Sequence, residues 1–237
     1  MTDEILDVLD VITSGGLAGG RWVMFGDFER QAIYANADAQ PGLGRIRART
    51  GTGFSTYPLR INCRNTRSIA AAVTLTSGLA PGYTRVLQDE EGSDVSPSFY
   101  RNADQQLEQL EKGLLRLLRK HDPGSIVVLS MRADRVACAS KLGDTLNGVP
   151  ILPFDKVGTA AQPAFRFGSV HAYKGMESPA VILTDIDEID GDQARALLYV
   201  GMTRARLDLV MLINERLRGS YGQLVTAGLR AQREGRA

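Results

Sequence analysis

The 237 residues carry 28 Lys plus Arg against 27 Asp plus Glu, a net charge of +1, with 43% hydrophobic and 23% charged residues. That balance excludes a disordered chain and a whole-chain basic footprint for nucleic acid, so any such contact must come from local patches. No apolar run approaches the roughly 20 residues a membrane-spanning helix needs, the acidic start lacks a signal-peptide core, and Cys63 and Cys138 have no metal-ligand spacing, which together predict a reduced, cytoplasmic chain with no membrane contact and no bound metal.

In chain order, Ile5, Leu9 and Ile12 predict a helix over 3–13 that Ser14-Gly15-Gly16 ends. Trp22 to Phe25 predicts a short buried strand stopped by Gly26-Asp27. From Ala35 to Ser55 there is no periodicity, and a long connector or hinge is expected. A strand at Tyr57 to Ile61 leads to a helix through Ile69, Ala72 and Val73. Ser98 to Tyr100 predicts a strand, and Asn102 opens an amphipathic helix with Leu107, Leu110, Leu114, Leu117 and Leu118 on one face, ended at His121-Asp122-Pro123-Gly124. A buried strand at Ser125 to Leu129 is followed by a predicted helix from Ala133 to Leu146. Further strands are expected at Ile151 to Phe154, Phe165 to Val170, Ala180 to Leu183 and Leu207 to Ile213, with helices around Gln193 to Ala205 and near the C-terminus. Strands that alternate with helices, several of them uninterrupted apolar runs, predict an α/β fold with a parallel sheet covered on both faces.

Several segments place polar chemistry just beyond these elements. Phe25-Gly26-Asp27-Phe28-Glu29-Arg30-Gln31 begins at a strand end, where a Gln amide can sense a phosphate or position a water. Arg64 lies between a strand and a helix, where a guanidinium can contact phosphate oxygens bidentately. In Ser169-Val170-His171-Ala172-Tyr173-Lys174-Gly175-Met176-Glu177 the glycine permits close backbone approach, and the carboxylate can accept from a ribose hydroxyl. Leu198 to Arg206 ends a helix in Thr203-Arg204-Ala205. The strand Ala180 to Asp185 imitates a magnesium-binding acidic strand, but Asp187, Glu188, Asp190 and Asp192 are expected to form a solvated loop. The chain contains no Gly-x-x-x-x-Gly-Lys-Ser/Thr phosphate loop.

In order and spacing, these segments resemble motifs III to VI of UvrD/Rep-type superfamily 1 helicases. The resemblance runs from about Trp22 to Ile213. It implies a RecA-like (P-loop NTPase-type) fold in which Gln31 couples nucleotide to DNA, Arg64 contacts phosphate, Lys174, Gly175 and Glu177 face the nucleotide with Glu177 on the ribose, Ser169 and His171 face nucleic acid, and Arg204 is the arginine finger. Arg195 stands at the place of an upstream family arginine. The chain departs from the family at Ala35-Asn36-Ala37, at Cys63 and at Ser178, where aromatic residues are usual.

By the same analogy, residues 1–34 are the remnant of a first RecA-like domain, 35–56 a hinge, 57–213 the second RecA-like domain and 214–237 a C-terminal helix. ATP and Mg²⁺ would be held mainly by a missing first domain, since both the phosphate loop and the Asp-Glu-x-x-Gln strand are absent. The chain is expected to be the C-terminal part of an ATP-dependent DNA helicase or translocase, inactive when isolated, with single-stranded nucleic acid (DNA for preference) and the missing domain as partners. A non-catalytic nucleic-acid-binding or protein-interaction module with vestigial motifs is the alternative. Trp22, Met24 and Phe25 are expected to pack on the second domain or on another copy of the chain, favouring self-association. Gln31, Arg64, Glu177 and Arg204 are expected to converge at the C-terminal ends of the sheet.

Overall fold

The computed structural model describes residues 2–26, 42–51, 54–77, 83–88, 95, 97–133, 136–156 and 163–234. They fall into two compact units, Met1–Leu59 and Arg60–Ala237.

In the first unit, α1 (Asp3–Ile12) and the short α2 (Gly16–Gly19) are joined through Gly15 and Gly16. Both glycines have positive φ (83° and 67°), a conformation that side chains with a Cβ avoid. A third helix, α3 (Gly42–Thr50), occupies nine residues of the expected connector. Its apolar signal is almost one residue, Ile46, buried with Leu6 and Leu17, while Arg45 and Arg49 pair with Asp3 and Asp7 of α1. Long-range ion pairs and a single apolar anchor leave no periodicity to read.

The strand predicted at Trp22 to Phe25 is absent. Trp22 and Met24 pack on the Leu6, Leu17 and Ile46 cluster, and the Trp22 indole donates to the Leu17 carbonyl at 2.8 Å. These two residues therefore find cover within their own unit, whereas Phe25 is 79% exposed.

The second unit begins with β1 (Ile61–Asn62), α4 (Arg67–Ser77) and β2 (Arg85–Val86), β1 and β2 pairing in parallel. The strand expected from Tyr57 shrinks to this two-residue element, because Tyr57 and Leu59 are solvated rather than packed. Then follow β3 (Pro97–Tyr100), α5 (Ala103–Leu117), β4 (Ile126–Ser130), β5 (Thr145–Leu146), β6 (Val149–Pro153), β7 (Phe165–Ser169), β8 (Ser178–Ile186), α6 (Asp192–Met202), β9 (Ala205–Asn214) and α7 (Arg218–Glu234). Asn102 caps α5 as expected, its side chain accepting from the Gln105 amide at 2.9 Å.

Among the described residues, a seven-stranded sheet runs in the order β3-β9-β8-β4-β7-β6-β5. Every pairing in it is parallel except the β5–β6 hairpin. The α/β fold with a parallel sheet is thus the one expected. Both faces are covered, and the strand period shows how. On β8, Ile182 meets α5 beneath Gly113, while the adjacent Leu183 points the other way and meets α6 beneath Gly201. The α5 face also buries Ile126, Val128, Phe165, Ala180, Val210 and Leu212.

The helix predicted over Ala133 to Leu146 is replaced by a 3-10 turn at Cys138–Lys141 and the β5–β6 hairpin. Asn147 and Gly148, with φ of 50° and 76°, make the hairpin turn that an Asn-Gly pair favours. No helix among the described residues is long and apolar enough to cross a membrane.

Candidate functional site

Strand register builds the site. Ser178 of β8 is level with Ala205 of β9, so Glu177 and Arg204 stand side by side where two adjacent parallel strands begin. Arg64 reaches the same place from the loop after β1. The Asn62 carboxamide oxygen accepts from the amides of Arg64 and Asn65, both at 3.0 Å, folding the loop into an Asx turn. The Asn65 carboxamide then donates to the carbonyls of Ala205 (2.5 Å) and Thr203 (3.3 Å), and the Thr66 amide donates to the Arg206 carbonyl at 3.0 Å.

So held, Arg64 Nε lies 2.7 Å from Glu177 Oε2, and Arg206 Nε lies 3.7 Å from Glu177 Oε1. All three side chains are close to half exposed. Arg204 differs. It is only 3% exposed, and its guanidinium donates to the Val200 carbonyl (3.0 Å), the Met176 carbonyl (3.2 Å) and the Thr203 hydroxyl (3.1 Å). Burial, with the nearby Arg64 charge as a lesser cause, lowers its pKa from the ordinary arginine value.

The segment between β7 and β8 runs back along the strand direction, from the C-terminal end of one strand to the start of the next. Ser169, at the C-terminal end of β7, is level with Ser130, which is level in turn with Thr184 of β8. Thr184 lies six positions beyond Ser178, about 20 Å along a strand. The turn that bridges this distance is fixed at both ends. The Ser169 hydroxyl accepts from the Ala172 amide at 3.3 Å, and the Tyr173 hydroxyl donates to the Glu177 carbonyl at 3.1 Å. The Tyr173 ring stacks on Phe154 at 5.1 Å, and Phe154 lies directly over Gly168. Gly175 takes a φ of 90° with open space around it.

The structure therefore brings Arg64, Glu177 and Arg204 together, with Lys174 and Gly175 on the turn that leads to Glu177. Ser169 and His171 sit toward the opposite end of the strands. The expected gathering at the C-terminal ends of the sheet is corrected: Glu177 and Arg204 precede their strands, so the cluster forms where β8 and β9 start. Gln31 lies outside the described residues. Arg195 is on the exposed side of α6. Sequence reasoning missed Arg206 and Asn65 as members of this cluster; the Asn62-x-x-Asn65 spacing, an Asx-turn signature, was the available signal.

Of the acids expected in a solvated loop, Glu188, Asp190 and Asp192 are exposed and only Asp187 is corrected, while Asp185 belongs to β8 itself. Asp185 is buried, with φ of 58°, and accepts from the Ser130, Thr184 and Gln106 side chains and the Cys138 amide. Asp187 accepts from the Tyr100 hydroxyl (3.0 Å) and the Asn214 carboxamide (2.9 Å), and pairs with Arg132. Burial raises its pKa, but the Asn214 and Tyr100 hydrogen bonds and the Arg132 charge outweigh burial and leave it below the ordinary aspartate value. Asp187 is thus a tie between strand ends rather than part of a solvated loop. Among the described residues, no three His, Cys, Asp or Glu side chains group as a metal site.

Known proteins place part of this architecture. Residues 164–212, which span β7, β8, α6 and most of β9, match the model of the UvrD-like helicase C-terminal domain. No curated protein matches the sequence. Among solved structures, the C-terminal domain of a possible DNA helicase from Lactobacillus plantarum WCFS1 aligns at 17% identity over 64% of this chain and 87% of its own, with a TM-score of 0.49, too loose a likeness to bear on function. Through residues 164–212, where Ser169, Glu177 and Arg204 all lie, this chain is similar to the C-terminal domain of UvrD-like helicases.

Proposed function

We propose that this chain serves as the second RecA-like domain of an ATP-dependent superfamily 1 helicase or translocase, acting on single-stranded nucleic acid, DNA for preference, and completing an ATP site shared with a first domain. The observation that carries this reading is the meeting of Arg64, Glu177 and Arg204 at the start of two adjacent parallel strands. Guanidinium groups around one carboxylate suit a nucleotide, whose phosphates need cations and whose ribose needs an acceptor. Mg²⁺ and the phosphate chain would be held mainly by the first domain, and this chain's arginines would neutralise charge that develops on the transferred group. Gln31 would couple that site to DNA, and Ser169 and His171 would touch the strand from the opposite end of the sheet. A segment running from one end to the other gives nucleotide and nucleic acid a short covalent connection through residues 170–177.

The test is complementation. The isolated chain is expected to show no nucleic-acid-stimulated ATP hydrolysis. A first RecA-like domain bearing the phosphate loop and the Asp-Glu-x-x-Gln strand, supplied in trans, should restore it. Arg64→Ala should then depress turnover by about 10³-fold or more, the scale of an arginine that stabilises phosphoryl transfer. Hydrolysis by the isolated chain that vanishes on Arg64→Ala, or no hydrolysis after complementation, would overturn the reading.

A further inference from the structure

Two guanidinium groups share Glu177 without sharing an oxygen: Arg64 faces Oε2 and Arg206 faces Oε1. A third, Arg204, is beside them but spent, its donors directed at Val200, Met176 and Thr203. Three positive groups and one negative group leave this corner of the unit strongly cationic. The three arginines differ in what it costs to redirect them. Arg204 is buried, so removing its guanidinium from three acceptors would leave carbonyls unpaired in a dry environment. Arg64 and Arg206 are about half exposed, and ion pairs in that setting are weak and readily exchanged.

Resting on the nucleotide reading above, we propose that Arg206 is a second phosphate-facing arginine of the site, beside Arg64, and that Glu177 is a displaceable latch which occupies Arg64 and Arg206 until a triphosphate takes its place. Phosphate oxygens outcompete one carboxylate because they bring more charge and more acceptors to the same two guanidiniums. Release also frees both Glu177 oxygens, which can then accept from ribose hydroxyls. One residue thus covers the cations before binding and reads the sugar afterwards. Arg204 stays in place throughout and keeps the segments before β8 and β9 in register.

The test measures binding of inorganic tripolyphosphate and of ATP to the whole chain by calorimetry, with thermal melting to establish that each variant is folded. Glu177→Gln should tighten tripolyphosphate binding several-fold, because the latch no longer competes, and should abolish any advantage of ATP over tripolyphosphate. Arg206→Gln should weaken tripolyphosphate binding by about tenfold, the loss of one partly solvated charge-assisted contact. Arg206→Lys should recover part of that loss. The latch is overturned if Glu177→Gln leaves tripolyphosphate binding unchanged or weaker, if Arg206→Gln is silent, or if neither the parent chain nor Glu177→Gln binds the probe. Tightening by Glu177→Gln in a chain that never prefers ATP would uphold the latch and defeat the nucleotide reading instead.

Discussion

Arg204 Nη1 donates to the carbonyl oxygen of Met176 at 3.2 Å, fastening the segment before β9 to the segment before β8. The contact joins residues 28 positions apart and places Glu177 beside Arg204 at the edge of the sheet. It also makes Arg204 a structural member of any site built there.

Arg204→Ala should therefore cost stability before any question of catalysis arises. Two carbonyls and a hydroxyl lose their donor in a nearly dry site, and we expect a loss of about 2–3 kcal/mol in urea unfolding. Arg204→Lys should recover little, because one ammonium cannot donate in the three fixed directions of the guanidinium fork. A fully stable Arg204→Ala protein would show that these hydrogen bonds do not hold the corner together.

Glycines on α7 should respond with opposite signs. A Cβ at Gly228 would lie 2.3 Å from the Leu75 carbonyl oxygen of α4, a backbone atom that cannot yield without moving a helix. Nothing lies within 4 Å of a Cβ at Gly222. Gly222→Ala should stabilise by about 0.5–1 kcal/mol, the ordinary helix-propensity gain, whereas Gly228→Ala should destabilise. Equal effects from the two substitutions would count against the close α4–α7 crossing.

Gly168 is constrained differently, by the ring of Phe154, whose Cδ2 would be 2.1 Å from an added Cβ. Gly168→Ala should cost about 1–3 kcal/mol by expelling the ring from its place between Gly168 and Tyr173. Combined with Phe154→Ala the losses should be clearly less than additive, since the second change removes the obstacle created by the first. Strict additivity in chemical denaturation would contradict this.

Asp187 predicts the acid limb of the stability curve. Its folded pKa lies below the ordinary carboxyl value, so its contribution is complete above the unfolded pKa and is lost as pH falls through the lowered folded value. Asp187→Asn should flatten that limb in melting curves collected from neutral pH into the acid range, while lowering stability at neutral pH. An unchanged acid limb would argue that the Asn214, Tyr100 and Arg132 contacts contribute nothing.

Thiol chemistry should separate the two cysteines. Cys63 is exposed, whereas burial, with the Asp185 charge as a further cause, pushes the Cys138 thiol up to about 12. A disulfide reagent at neutral pH should label Cys63 rapidly in the folded chain and Cys138 only after denaturation. Peptide mapping that finds Cys138 labelled first would overturn the assignment.

Local properties can be read along the chain: which side chains leave water, and with what period. The apolar runs in β4 and β8 predict strands covered on both faces, and the Asn102 cap with its Leu-rich stripe predicts α5. The segments around Arg64, Glu177 and Arg204 were legible mainly through their order and spacing, which resemble helicase motifs. Tertiary structure decided matters that depend on pairing between distant residues. The register of Ser178 with Ala205 sets the edge on which the cluster forms. The carbonyls of Val200 and Met176 bury Arg204 and leave Arg206, two residues on, facing Glu177. The arginine-rich α3 is ion-paired to α1, and the Cys138 amide, bonded to Asp185, sits in a turn where a helix was expected. Periodicity records burial along one element, but a hydrogen bond or ion pair is set by the element that arrives opposite, and nothing in the local pattern identifies that partner.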